Sequence, residues 1–137
     1  METVSLGYRT VELVRPDELP GAQEGYRGSE GWPADWLVIA IDDELGDPIF
    51  TDTSAEALPV FTAAHGQGVW EPVPIADSFD GFVAALAVVG SISAGREDPV
   101  GLEERPLTDA ERERMLRHVR ENNPHAELEF WDSWLTA

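Results

Sequence analysis

Carboxylates are the chemically capable side chains that this sequence offers in quantity. The run Asp42-Asp43-Glu44-Leu45-Gly46-Asp47 holds four acids in six residues, and a hard cation such as calcium needs several oxygens converging on one point. The spacing does not supply that convergence. An EF-hand loop sets acids at alternate positions ahead of a Gly and closes on a Glu at the twelfth. The run therefore reads as a solvated turn in which Gly46 supplies the bend, with its acids forming a rim that greets a basic partner. His65, His118 and His125 match no helical zinc motif; His65 reads as a turn residue and His118 as a complement to a helix end. The absence of Cys removes thiol nucleophiles, thiolate metal sites and disulfides, and the absence of Lys removes lysine Schiff bases and the phosphate-loop lysine. No Gly-x-Ser-x-Gly elbow occurs, and acids are too numerous for any pair to stand out as a glycosidase couple. The expectation is a non-enzymatic chain with no metal and no cofactor.

Charge narrows the range of partners. The 137 residues carry 27 acids against nine bases, a net charge of −18, and all nine bases are Arg. Between Arg27 and Arg96 there are 11 acids and no base. A field of this sign repels nucleic acid and anionic membranes and steers cationic partners inward; the plainer reading is that it maintains solubility, with Arg usage reflecting a GC-rich genome. The N-terminus lacks the basic and apolar regions of a signal peptide, and no apolar run approaches the ~20 residues of a membrane span. With no Cys, a cytoplasmic protein is the expectation.

The elements that must position these groups centre on Trp36-Leu37-Val38-Ile39-Ala40-Ile41, an apolar run that reads as a strand buried on both faces. It turns through residues 42–48 and returns as Ile49–Asp52. Ahead of it, Val11 and Leu13 alternate with polar neighbours in a half-exposed strand over Tyr8–Val14. Residues 16–34 are rich in Gly and Pro and read as irregular beyond a short turn around Glu18–Gln23, anchored by Tyr26 and Trp32. Pro59–Ala64 and Val69–Ile75 read as further strands; Pro72 and Pro74 share one parity, which marks an edge. Trp70 reads as an interface anchor or a core residue. Asp77 or Ser78 caps a helix with Phe79, Phe82, Val83, Leu86 and Val89 on one face. Gly95 is its expected stop, with a polar loop over Arg96–Pro106. Thr108-Asp109-Ala110-Glu111 is a capping box for a second helix ending at Asn122-Asn123-Pro124, and Leu128, Trp131 and Leu135 share a face of a short docked terminal helix. The order implies α+β: one domain over residues 1–137, an antiparallel meander of about five strands, packed on one face by two to three helices.

Several of these segments, in this order, resemble the SUKH superfamily, the group that includes the fungal cell-wall-assembly regulators. They are Trp36–Ala40, Gly46-Asp47-Pro48-Ile49, Pro59-Val60-Phe61, His65-Gly66, Trp70, Ile75-Ala76-Asp77-Ser78-Phe79-Asp80-Gly81-Phe82, and Asn123-Pro124-His125-Ala126 followed by Phe130-Trp131. The N-terminal helical region of longer members is missing here; only Glu18-Leu19-Pro20 echoes it. The resemblance implies a binding module, with many bacterial relatives resembling immunity proteins that neutralise polymorphic toxins, often nucleases. It supplies no catalytic residues. The partner-binding residues expected on this reading are Asp42, Asp43, Glu44, Asp47 and Asp52, with Trp70 for contact area, facing a basic toxin-like protein. The alternative is a regulatory or small-molecule-binding domain with a pocket between the sheet and the 16–34 loop.

Overall fold

A computed structural model of the chain describes residues 1–66, 68–91 and 106–136. The expected stop at Gly95 and most of the loop from Arg96 lie outside the described residues. Six strands form one antiparallel meander in chain order: β1 Glu2–Leu6, β2 Arg9–Leu13, β3 Trp36–Asp42, β4 Pro48–Asp52, β5 Val60–Thr62 and β6 Val73–Ala76. The strand beyond the expected five is β1, which pairs along its whole length with β2, from Glu2 opposite Leu13 to Leu6 opposite Arg9. Its five residues carry too short an alternation to stand out alone. β6, with Pro74, is an outer strand of the sheet, in line with the edge that the prolines mark, and Pro72 lies just ahead of it. The helices are α1 Leu19–Ala22, which follows a 3-10 turn at Pro16–Glu18, then α2 Phe79–Gly90, α3 Asp109–Asn122 and α4 Leu128–Asp132.

β3 buries residues on both faces by a specific device. Its register against β4 slips between Val38 and Ala40, so Val38 faces Phe50 while Ala40 faces Ile49. A bulge of this kind sends residues of equal parity to opposite faces. Val38 and Phe50 join one core with Tyr26, Trp32, Trp36, Phe61 and Trp70. Ala40 and Ile49 join the other, with Val11, Phe82, Val119, Trp131 and Trp134 under the helices. The first face is thus closed by the 23–34 segment, where the Tyr26 and Trp32 rings stack at 4.9 Å. Burial and the nearby charge of Asp47 push the Tyr26 hydroxyl above its ordinary range.

The bulge needs a partner for its backbone. β2 pairs with β3 only from Ala40 to Asp42. Where β2 has turned away, the buried Gln23 amide takes its place: Oε1 accepts from the Val38 N–H at 2.8 Å, and Nε2 donates to the Val38 carbonyl at 2.9 Å. Nε2 also donates to the Leu19 carbonyl at 3.0 Å, fixing α1 to the same point.

The helices are fastened by polar side chains as well as by apolar area. Ser78 Oγ caps α2 by accepting from the Gly81 N–H, and Thr108 with Glu111 forms the capping box of α3. Arg112 grips Asp132 through two bonds of 2.5 and 2.8 Å, joining α3 to α4. Asn123, fully buried, accepts from the Asp77 N–H at 3.0 Å and donates to the Gly81 carbonyl at 3.0 Å. A Cβ at Gly81 would stand 2.1 Å from Asn123 Oδ1, so only glycine fits there. The buried Trp131 indole donates to the Ile75 carbonyl at 2.7 Å.

Two outcomes test this account. Gln23→Ala strands the Val38 N–H and C=O in the interior, and at about 1–3 kcal/mol for each orphaned group the urea midpoint falls by the equivalent of roughly 2–6 kcal/mol. The raised Tyr26 hydroxyl means that the folded state holds this proton more tightly than the unfolded chain does. Its contribution is complete below the ordinary value of 10.0 and is lost as the pH climbs through the folded value. Stability measured by urea unfolding from about pH 8 to about pH 11 therefore falls more gently in Tyr26→Phe than in the parent.

Candidate acidic interface

The β3–β4 turn is built around Asp42. Its Oδ1 accepts from the Glu44 N–H at 3.0 Å and the Leu45 N–H at 3.2 Å, closing an Asx turn. The Gly46 N–H donates to the Asp42 carbonyl at 2.8 Å, and the φ of +75° at Gly46 suits glycine. Asp42 Oδ2 accepts from Arg9 Nη2. Arg9 also donates through Nη1 to Ser133 Oγ at 3.1 Å, and its Nε lies 3.2 Å from Glu44 Oε2. One guanidinium thus ties β2, the turn and the residue after α4 together. The Tyr8 N–H adds a bond of 2.9 Å to the Trp134 carbonyl.

These contacts bring the end of the chain beside the turn and leave a cleft of about 310 Å³ between them. Asp42, Asp47, Glu127 and Glu129 line it, with Arg9 as the one base among the described residues. That base is already engaged by Asp42 and Glu44. Leu45, 57% exposed, and the half-buried Phe130 add apolar surface. Acids above an apolar floor suit the side chains of Arg or Lys, whose stems lie on apolar surface while the charged heads meet carboxylates.

The six residues expected from sequence do not all meet here. Asp43 and Glu44 are exposed at the rim, and Asp47 lines the cleft. Asp42, only 3% exposed, is consumed by Arg9 and the turn and is not available to a partner. Asp52 sits at the other end of β4, about 13 Å along the strand from Pro48; there its Oδ1 accepts from the N–H and hydroxyl of Ser54. Trp70 lies on the opposite face of the sheet, where its indole donates to Ser29 Oγ at 3.0 Å and packs 5.1 Å from the Trp32 ring. Glu127, Glu129 and Phe130 join the cleft without a local mark in the sequence, because nothing near a terminal segment identifies it as a neighbour of a turn some eighty residues earlier. The long-range bonds of Arg9 to Ser133 and Tyr8 to Trp134, with the Glu127 N–H on the Pro74 carbonyl at 2.8 Å, put them there.

The two histidine-aspartate pairs close chain turns. Asp47 Oδ1 accepts from the His65 N–H at 3.0 Å and stands 2.6 Å from its Nδ1. Asp77 does the same for His125, with its two oxygens at 3.0 and 2.7 Å. Thus Gly46-Asp47 is bonded to His65-Gly66, and the Asp77–Phe82 stretch is bonded to Asn123-Pro124-His125. These two pairs join segments 18 and 48 residues apart in sequence. Among the described residues, no three His, Asp or Glu side chains gather to hold a metal ion, and no helix is long and apolar enough to cross a membrane. Between the sheet and the 23–35 segment there is a depression of about 240 Å³, with Arg27, Asp35 and Trp36 on its walls.

No family model matches the chain, and no curated protein or solved structure matches it.

Arg9→Ala leaves Asp42 buried without its cation and lowers stability by about 3 kcal/mol. Asp43→Ala and Glu44→Ala, both at the exposed rim, change it by about 0.5 kcal/mol or less. Urea unfolding of the three variants separates the buried Arg9–Asp42 pair that builds the turn from the carboxylates at its exposed rim.

Proposed function

We propose that this chain is a non-enzymatic binding module of SUKH type that covers a basic surface of another protein through the acidic cleft and its rim. The observation that carries the reading is the convergence of Asp47, Glu127 and Glu129 on one cleft, beside exposed Asp43 and Glu44, in a chain of net charge −18. The resemblance supplies the class of partner: a polymorphic toxin, such as a nuclease, which the chain neutralises in the cytoplasm as an immunity protein. Nucleases carry basic surfaces for the phosphates they bind, and an acidic module that occupies such a surface competes with the substrate directly. The acids act mainly on the rate of encounter, and Leu45 and Phe130 supply contact area.

The test begins with tagged protein purified from the native host, washed at rising salt, to obtain the basic partner in pure form. Stopped-flow association is then measured with the parent and with a variant carrying Asp43→Lys, Glu44→Lys, Glu127→Lys and Glu129→Lys. The association rate is expected to fall by about tenfold or more in the variant, and to fall in the parent as salt rises, with dissociation changing less. Equal rates for parent and variant at low salt overturn the assigned surface.

A further inference from the structure

The depression between the sheet and the 23–35 segment belongs to the aromatic side of the sheet, at the end of β3 and β4 remote from the acidic cleft. Its walls are fixed by bonds already made. The Trp36 ring stacks on buried Phe50 at 4.4 Å, and the Trp32 ring stands 5.0 Å from Trp36 at an angle of 83°. Two indoles backed by the core thus form a rigid apolar corner. The Gln23 amide is committed to the backbone of Leu19 and Val38, and the Gln23 carbonyl accepts from the Arg27 N–H at 2.9 Å. Across the depression, the Thr53 hydroxyl donates to the Asp35 carbonyl at 2.7 Å. These bonds hold the backbone of Arg27 and Asp35 in place and leave their side chains unused.

Unused charge of both signs is what the walls offer. The Arg27 guanidinium and the Asp35 carboxylate are exposed there, and neither makes an ion pair or a hydrogen bond. With 27 acids for nine Arg, carboxylate partners are abundant, and Arg9 and Arg112 each hold one. Arg27 holds none, although it lines a concavity.

Charge and size together specify a ligand class. A guanidinium takes a carboxylate through two parallel N–H bonds, and a carboxylate accepts from an ammonium. A bare anion would meet Asp35 and a chain of net charge −18, and a bare cation would meet Arg27. A molecule that carries both charges finds a partner for each and is not repelled as a whole. The volume of about 240 Å³ lies below the ~300–1,000 Å³ of drug-sized pockets, which suits one small molecule. The indole corner takes its apolar part.

We infer that this depression is a binding site for a zwitterionic amino acid with an apolar side chain, held between Arg27 and Asp35 and packed on Trp32 and Trp36. The inference adds a small ligand to a chain read as a protein-binding module and does not depend on that reading.

The test is titration calorimetry of the full chain with each standard L-amino acid at up to about 10 mM. An apolar amino acid is expected to bind. Its C-terminal amide, which keeps only the positive charge, and its N-acetyl form, which keeps only the negative one, are expected to bind at least about tenfold more weakly. Arg27→Gln weakens the free amino acid by about tenfold and leaves the amide within about twofold; Asp35→Asn weakens the free amino acid equally and leaves the N-acetyl form within about twofold. Neither variant shifts the urea midpoint, because neither side chain has a partner to lose. A merely structural role for these residues does not produce that crossed pattern.

The inference is overturned if no standard amino acid binds, if the amide or the N-acetyl form binds as well as the free amino acid, or if binding survives both variants. Loss of binding on charge reversal at Asp43, Glu44, Glu127 and Glu129 also overturns it, because that result gives the ligand to the acidic cleft. Failure of the toxin reading leaves each of these outcomes readable, because the titrations involve no partner protein.

Discussion

Between Val38 and Ala40 the third strand changes which side of the sheet its residues supply, and the rest of the molecule is arranged around that change. Before the slip, Trp36 and Val38 feed an aromatic layer with Phe50 and Phe61. After it, Ala40 and Asp42 lie with the helices and the Arg9 cluster. A regular strand of seven residues would give one face to its odd positions throughout, and one of the two cores would lose half its contribution from β3. The bulge is affordable because Gln23 occupies the place that β2 leaves open and presents one donor and one acceptor, as a strand peptide would. A segment rich in Gly and Pro thereby becomes part of the sheet without being a strand.

The large negative charge divides into two kinds of carboxylate. Asp42, Asp77 and Asp132 are held by Arg9, His125 and Arg112 or by backbone N–H groups, and they join parts of the chain that are far apart in sequence. Asp43, Glu127 and Glu129 face water. The first kind contributes to one folded arrangement, because an interior charge without its partner is costly. The second contributes little to stability and sets the field that an approaching molecule meets. With nine Arg for 27 acids, most carboxylates have no cation to join, so the acidic exterior follows from composition once the structural pairs are formed.

The acidic cleft and the Trp32–Trp36 depression occupy opposite ends of the same strands. Asp42 and Asp47 stand at one end of β3 and β4; Trp36 and Thr53 stand at the other. Each surface is made from segments distant in sequence: α4 against the β3–β4 turn, and the 23–35 segment against Thr53. A sheet held rigid by two cores keeps both surfaces in fixed relation.

The sequence by itself determined the α+β class, the meander, the edge position of the proline-bearing strand, a helix cap at Asp77 or Ser78, the Thr108–Glu111 capping box and the docked C-terminal helix. These depend on period, on residue type and on contacts within a few positions, and that is where local physics is decisive. It also indicated that β3 is buried on both sides, without revealing that a bulge achieves this. Tertiary structure alone decided that Asp42 is a buried partner of Arg9 while Asp43, one residue on, is free. It also put Trp70 behind the sheet and brought Glu127, Glu129 and Phe130 to the β3–β4 turn. Each of these depends on which distant group arrives at a given place, and a carboxylate or indole in sequence carries no mark of the neighbour it will meet. The −18 charge was legible from composition; the division between structural and exposed acids required the fold.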